Sequence, residues 1–214
     1  MTQFDPPSQP CALYPVALPP TVALPPPFVD LALLQPGTAG ALTPAAARQS
    51  QLIFLWSPGI SAADEPWSEG SLRWLPVGPS APLHAAGPLP AHGGGLVCGS
   101  TQVCTPASGV ALAAGEVPRA LAPGIDLRLL AGTGFARESA LLRATACALA
   151  VCRLARLMRF EFRAEYPQRA LYVAAGTVML DGESVVGGTW RRITGPKTAF
   201  IDALAPSVLV LLAG

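Results

Sequence analysis

The chain has 214 residues, of which 51% are hydrophobic, and its 14 basic residues nearly balance its 13 acidic ones. This length and composition allow one large or two small domains with a sizeable core. The net charge of +1 does not indicate a basic surface for direct contact with nucleic acid. We therefore expect the charged side chains to lie on solvent-exposed faces.

Three features bear on the compartment of the protein. No segment approaches the about 20 consecutive apolar residues of a transmembrane helix. Residues 1–7 lack the basic start and apolar run of a signal peptide. Five cysteines are an odd number for a disulfide framework, which favours reduced thiols. We therefore expect a cytoplasmic protein without membrane contact.

The chain begins with a proline-rich segment, residues 1–27. Proline fixes φ and removes a hydrogen-bond donor, so an extended N-terminal arm is expected. An arm that wraps around the protein is favoured over a ligand for SH3-type domains. Thr43 and Pro44 have the residue types of an N-cap and a first helical position, which predicts a short helix over 39–49.

The middle of the chain contains two apolar runs. They predict strands at 51–56 and 72–77, and proline and glycine then dominate up to Gly95. Small residues and scattered prolines give 96–124 the composition of a linker or crossover. We therefore predict one domain at 28–95 and a second at 125–214.

The last part of the chain, residues 166–214, alternates short apolar runs with turn residues. Asp181-Gly182 stands between two β-forming runs and is a strong hairpin signal, because both positions tolerate positive φ. Gly187-Gly188 and Gly195-Pro196 mark the next returns. About five or six short strands at this spacing predict an antiparallel sandwich or barrel.

The run R-A-L-Y-V-A-A-G-T-V-M-L-D-G, Arg169 to Gly182, resembles the core of the C-terminal barrel of the pirin family. Ile125 to Phe135 resembles the segment that opens that barrel, and the closing L-V-L-L-A-G resembles its last strand. The first half resembles the family more weakly. The resemblance implies an all-β protein with two cupin-type β-barrels, each a double-stranded β-helix, of which the N-terminal one is abbreviated or degenerate.

One segment gives conflicting signals. Residues 139–157 are rich in alanine, leucine and arginine at helical spacing. The resemblance to the pirin family instead places two strands here. We expect strands, because intrinsic propensity is a weak guide where tertiary context decides.

The family resemblance also implies a position for a metal. Pirin-like proteins hold iron in the N-terminal barrel through two histidines of a His-Pro-His-Arg-Gly loop, a third histidine and a glutamate two residues later. If Arg48 matches the arginine of that loop, the first two ligand positions are Ala45 and Ala47. The third histidine matches His84, and Ala86 stands in the place of the glutamate. Only His84 remains, as a vestigial ligand, so we expect no bound cofactor and no catalytic residue.

Other candidate motifs favour structural roles. Their spacing supports neither a mixed metal site of His84 with Asp64, Glu65 or Glu69 nor a dinucleotide, zinc or esterase site. We expect a glycine turn at His92-Gly93-Gly94-Gly95, packed thiols at Cys98 and Cys104, a strand-to-strand turn at Gly132-Thr133-Gly134, and a solvated face carrying Arg153, Arg156, Arg159 and Arg163.

These features predict a pirin-like protein that is metal-free and non-catalytic and that binds a protein or small-molecule partner of unknown identity. The alternative is an iron-dependent oxidoreductase similar to quercetin 2,3-dioxygenase, because some pirin-like proteins cleave flavonols with dioxygen. That activity would need iron and a replacement ligand set. A third interpretation is an interaction protein that uses the groove between the barrels.

Overall fold

The structure is a computed structural model that describes residues 11–17, 23–36, 49–62, 65–76, 83–85, 87–90, 93–106, 108–142, 146–163 and 165–214. Every helix or strand assigned within these ranges is a β-strand, which confirms the all-β prediction. In this part of the chain, no helical segment has the length and hydropathy needed to cross a bilayer.

The first half of the chain forms one antiparallel sheet. Its strands are β1 (Cys11–Ala17), β2 (Phe28–Pro36), β3 (Ser50–Leu55), β4 (Ile60–Ala62), β5 (Glu65–Trp67), β6 (Leu72–Pro76), β7 (Leu83–Ala85), β8 (Gly95–Ser100) and β9 (Val110–Leu112). The order across the sheet is β5-β4-β7-β1-β2-β8-β3-β6-β9.

The two faces of this sheet are both apolar. Along β3, Leu52 and Phe54 point to one face, and Ile53 and Leu55 point to the other, as the two-residue period of a strand requires. The second face gathers buried side chains from β2, β3, β4, β5, β7 and β8 into one cluster. Strands near opposite ends of the sheet contribute to that cluster, so the sheet curls over itself to enclose the interior of a first barrel.

The second half of the chain forms two further sheets. The strands are β10 (Arg119–Ala122), β11 (Ile125–Gly134), β12 (Arg137–Glu138), β13 (Ala148–Leu154), β14 (Arg159–Phe162), β15 (Gln168–Ala175), β16 (Thr177–Leu180), β17 (Glu183–Val186), β18 (Thr189–Thr194), β19 (Ala199–Ala203) and β20 (Ser207–Ala213). One sheet has the order β10-β11-β13-β20-β15-β18, with β12 paired to β11, and the other has the order β14-β19-β16-β17. A buried cluster between the two sheets forms the core of a second barrel.

A third core lies between the two barrels. Phe54 and Trp74 from the first sheet belong to the same buried cluster as Leu149, Tyr172 and Val210 from the second. The shared cluster shows that the two sheets pack face to face. One outer face of each barrel is therefore buried against the other barrel.

The boundaries of the sheets differ from the domain boundaries predicted from composition. Strand β1 lies in the segment expected to be an arm, and its pairs with β2 and β7 place it in the first sheet. Strands β8 and β9 lie in the range expected to be a linker, and β8 pairs with both β2 and β3. The helix predicted over 39–49 lies, apart from Gln49, outside the described residues.

The segment with conflicting signals, residues 139–157, has one strand and no helix in its described part, 139–142 and 146–157, so strand conformation is confirmed but only one of the two expected strands lies there. Strand β13 pairs with β11 on one side and β20 on the other, so it is a central strand of the second barrel. Leu149 and Val151 face the first barrel, whereas Ala150 and Cys152 face the second core. Burial on both faces explains why β13 is continuously apolar. A buried helix has the same continuous apolar composition, so the sequence alone does not distinguish the two.

The hairpin predicted at Asp181-Gly182 is present. Strand β16 pairs with β17 through Leu180 and Glu183, and the two turn residues have φ values of 47° and 93°. Two consecutive positive φ angles are the mark of a type I′ turn, whose twist matches that of the flanking strands. The Asp181 carboxylate also accepts a hydrogen bond from the Phe200 backbone N–H at 3.0 Å.

Replacing Gly182 with alanine is expected to lower the free energy of unfolding by about 1 kcal/mol, the cost of a left-handed conformation for an L-residue. A Cβ at this position would meet no atom within 4 Å, so no steric term adds to that cost. Gly115→Ala is the control, because its Cβ also meets open space and its φ lies outside the left-handed region. Urea unfolding of the two variants should show a lower midpoint for Gly182→Ala alone.

Candidate functional site

The interior of the first barrel is the position where the family resemblance places a metal. Strand β7 carries His84 between Leu83 and Ala85. In the sheet, His84 stands opposite Ala12 of β1 on one side and Ser61 of β4 on the other. Leu83 and Ala85 are both buried in the interior cluster, while His84 is half-buried. Because side chains alternate along a strand, the imidazole of His84 lies on the opposite side of β7 from this cluster.

The other ligand positions suggested by the resemblance, Ala45, Ala47 and Ala86, lie outside the described residues, as do His92 and Asp64. Glu69 is described and is exposed at the surface. No group of three or more histidine, cysteine, aspartate or glutamate side chains converges within the described ranges.

The described residues do not supply the iron-binding set that the family resemblance implies. The whole chain has two histidines, so a set of three imidazoles is impossible whatever the alignment. The alanines assigned to ligand positions have no lone pair to donate. Among the described residues, the fully buried polar side chains are serines, one glutamine and one arginine, none of them an imidazole or a carboxylate. An iron of the kind implied by the resemblance needs imidazole and carboxylate donors.

Charged side chains instead collect where the two barrels meet. On β11 and β13, Leu127, Leu129 and Cys152 point into the second barrel. The alternate residues Asp126, Arg128 and Arg153 therefore lie on the face that is turned toward the first barrel. They line a small pocket, the arginine pocket, together with Phe54, Trp56, Glu69, Gly70 and Val151.

Two of the arginines near this pocket are paired with carboxylates. Arg119 donates two hydrogen bonds to Asp126, from Nε at 2.6 Å and from Nη2 at 2.8 Å. Arg153 donates to Glu69 across the barrel boundary at 3.2 Å and also to the backbone carbonyl of Trp56. Arg153 thus ties the second sheet to the first.

Arg128 differs from its two neighbours. Its guanidinium donates to the backbone carbonyl of Ala114 at 3.1 Å and, among the described residues, forms no ion pair with a carboxylate. It rests against Gly70, where a Cβ would come within 2.7 Å of Nη1. Gly70 has φ of 83°, so its backbone conformation as well as its lack of a side chain suits glycine.

The electrostatics of the arginine pocket reflect this excess of cations. Burial alone would raise the pKa of Asp126, but hydrogen bonds from Arg119 and the charges of Arg119, Arg128 and Arg153 outweigh it and lower that pKa. Burial, together with the like charges of Arg119 and Arg153, lowers the pKa of Arg128, although Asp126 opposes the shift. The local field therefore favours a negative group beside Arg128.

An apolar groove adjoins the arginine pocket and shares Asp126 and Arg153 with it. The groove has a volume of about 480 Å³, and its apolar walls include Leu121, Ala122, Ile125, Leu154, Pro206 and Val208. Leu121 is 65% exposed, which is unusual for a leucine on a short strand. The arginine pocket and the apolar groove together form the candidate functional site.

Sequence analysis missed this site. Arg128 lies in the segment Ile125 to Phe135, whose only sequence signal is its resemblance to the pirin family, and Gly70 precedes the strand predicted at 72–77. Of the four arginines expected on a solvated face, Arg156, Arg159 and Arg163 are exposed, whereas Arg153 is half-buried at the barrel boundary. One pattern in the sequence does indicate the site. Asp126 and Arg128 alternate with Leu127 and Leu129, as expected for a strand with one buried face and one polar face.

The remaining candidate motifs have structural places. Gly93 and Gly94 form backbone hydrogen bonds to Pro90 and Leu34 in a turn. Cys98 and Cys104 are buried thiols in the core between the barrels. Gly132-Thr133-Gly134 lies within β11 rather than in a turn, and the return to β12 is made by the next two residues, Phe135 and Ala136, both with positive φ.

Two packed cupin-type barrels define the chain as a bicupin, and comparisons with known proteins agree. It is similar to quercetin 2,3-dioxygenase from Acinetobacter baumannii, with 16% identity and a TM-score of 0.63 over 88% of this chain and 75% of that one. It is also similar to the bacterial pirin YhhW from Escherichia coli, in a structure with nickel(II), with 13% identity and a TM-score of 0.54 over 87% of this chain and 81% of that one. At these identities, the structural likeness shows the fold alone.

A sequence relative extends this assignment. The chain is 31% identical over 99 residues to a "Pirin-like protein" of Caulobacter vibrioides, a match that covers 46% of this chain and 34% of the relative's length. No protein-family profile matches the chain. The sequence match and the shared fold support the resemblance to the pirin family.

Proposed function

We propose that this pirin-like protein is a metal-free binding protein of the cytoplasm, which holds a small ligand or a protein partner and does not oxidise a substrate. The observation that carries the proposal is the composition of the first barrel at β7. Two apolar side chains, Leu83 and Ala85, occupy the interior, and His84 lies on the other side of the strand.

The cysteines support the proposed compartment. Cys98, Cys104, Cys147 and Cys152 are all buried thiols, as expected for a reducing environment. Burial raises the pKa of Cys147 to about 12, so its thiol stays protonated and unreactive at neutral pH. These cysteines serve as small apolar side chains in the cores.

The second candidate function is a quercetinase-type dioxygenase. It is favoured by the structural likeness to a quercetin 2,3-dioxygenase, at a TM-score of 0.63. Fold likeness alone does not carry activity from one protein to another. The dioxygenase would require iron held by donors other than those of the family set.

Metal analysis separates the two candidates. After loading with Fe(II) under anaerobic conditions and desalting, the protein is expected to retain far less than one iron per chain, because the donor set is missing. Quercetin should not be consumed in the presence of dioxygen. His84→Ala should behave as the wild type in both assays.

Stoichiometric iron that is lost in His84→Ala, together with quercetin turnover by the wild type, would establish the dioxygenase instead. A pull-down from cell extract tests the protein-partner branch of the proposal. Failure to recover any reproducible partner would count against that branch and leave the small-ligand branch.

A further inference from the structure

The geometry of the candidate site points to one ligand class. We propose that the arginine pocket and the apolar groove together bind an apolar carboxylate, such as a medium-chain fatty acid, with the Arg128 guanidinium as anchor for the carboxylate. This proposal names a ligand and a place for the binding role proposed above, and it rests on that role.

Charge is the first reason. Arg119, Arg128 and Arg153 contribute three positive charges, and Asp126 and Glu69 contribute two negative ones, which leaves one uncompensated positive charge. The two carboxylates are engaged by Arg119 and Arg153. Arg128 is therefore the cation whose charge a monoanionic ligand would balance.

The hydrogen-bonding capacity of Arg128 is the second reason. A guanidinium has five N–H donors, and the structure shows one of them donating, to Ala114. The side chain is half-buried, so the remaining donors have limited access to water. A carboxylate oxygen accepts charge-assisted hydrogen bonds from these donors.

The shape of the site selects the rest of the ligand. The arginine pocket has a volume of only about 10 Å³, which is room for one water-sized group such as a carboxylate oxygen. The body of the ligand must therefore extend into the adjoining groove, an open depression of about 480 Å³. The walls of the groove are mainly apolar, so an apolar body is preferred.

A carboxylate is favoured over a phosphate. Asp126 and Glu69 both line the arginine pocket and repel anions. That repulsion grows with the charge on the ligand, so a dianionic phosphate is disfavoured relative to a monoanionic carboxylate. The net charge of the group, one positive, matches a single negative charge.

Calorimetric titration of the full chain with sodium octanoate tests the proposal. Octanol shares the apolar body and acetate shares the head group, and both should bind more weakly, octanol by about tenfold or more because it lacks the charged partner of Arg128. Arg128→Met should weaken octanoate to the level of octanol. Arg128→Lys, which keeps the charge and loses the fork, should fall between the two.

Arg192→Met is the matched control, because Arg192 is an exposed arginine on β18 that lines neither the arginine pocket nor the apolar groove. It should bind octanoate as the wild type does. Leu121→Ser, in the wall of the groove, removes apolar surface without adding charge, so it should weaken octanoate and leave acetate unchanged. Melting temperatures establish that each variant is folded before its titration is interpreted.

The proposal is overturned if octanoate does not bind, if Arg128→Met binds it as tightly as the wild type, or if inorganic phosphate competes with it equally well. These outcomes are independent of the iron assay. If the protein binds octanoate through Arg128 but also retains iron and consumes quercetin, only the proposed non-catalytic function is refuted. Absence of both iron and octanoate binding would remove the ligand assignment alone.

Discussion

Alanine at position 132 is expected to prevent stable folding of the second barrel. Gly132 has φ of 76°, and a Cβ there would lie within 1.8 Å of the backbone carbonyl oxygen of Cys147. That carbonyl accepts a hydrogen bond from Thr133, so it cannot move without breaking the pairing of β11 with β13. The left-handed conformation and the collision together should cost at least about 3 kcal/mol.

The glycines at 115, 182 and 132 form a graded series for this test. Gly115→Ala has neither cost, Gly182→Ala has the conformational cost only, and Gly132→Ala has both. Urea midpoints should fall in that order, and Gly132→Ala should be poorly soluble or unfolded at room temperature. A midpoint for Gly132→Ala equal to that of Gly182→Ala would show that β13 can shift to admit the methyl group.

Replacement of Arg169 by methionine should cost about 3 kcal/mol in the free energy of unfolding. Arg169 is 1% exposed and donates to three backbone carbonyls, those of Phe162 at 2.6 Å, Gly195 at 3.0 Å and Lys197 at 2.7 Å. It lies on β15 of one sheet, whereas Phe162 ends β14 of the other, so the guanidinium joins the two sheets of the second barrel. Methionine keeps much of the apolar volume but leaves the carbonyls without this donor.

Arg192→Met is the control for this substitution, because Arg192 is an exposed arginine on the neighbouring strand β18. Its midpoint should stay within about 0.5 kcal/mol of the wild type. Arg169→Lys should lie between Arg169→Met and the wild type, since an ammonium can donate to the carbonyls but lacks the planar fork. Equal stability of Arg169→Met and Arg192→Met would mean that water replaces the lost hydrogen bonds.

Much of the second barrel could be predicted from the sequence because its signals are local. Asp181-Gly182 specifies a turn by residue type alone, and the turn residues at Gly187-Gly188 fall between β17 and β18 as expected. The family resemblance of Arg169 to Gly182 corresponds to β15, β16 and the hairpin turn. These features depend on neighbours in sequence, which a single chain displays directly.

Strand β13 could not be predicted from its own residues. Alanine and leucine favour a helix, and burial on both faces removes the alternation of polar and apolar residues that marks a strand. Its strand conformation comes from pairing with β11 and β20, which are separate segments of the chain. Tertiary context therefore overrides propensity in this segment.

For the candidate site too, one feature can be read from the sequence and another depends on tertiary packing. That one chain cannot supply three histidine ligands follows from counting its two histidines. The contact between Gly70 and Arg128 joins the two barrels, and nothing in either segment indicates the other. A site assembled across a domain boundary depends on how the sheets pack, which residue patterns along the chain do not encode.

The shared core between the barrels has a consequence for how such a chain can change. Leu149, Tyr172 and Val210 are covered by the first barrel, and removal of that barrel would turn them toward water. The first barrel is therefore required as the hydrophobic cover of the second, whatever chemistry its interior supports. Loss of the first barrel would expose this apolar face to water and lead to aggregation.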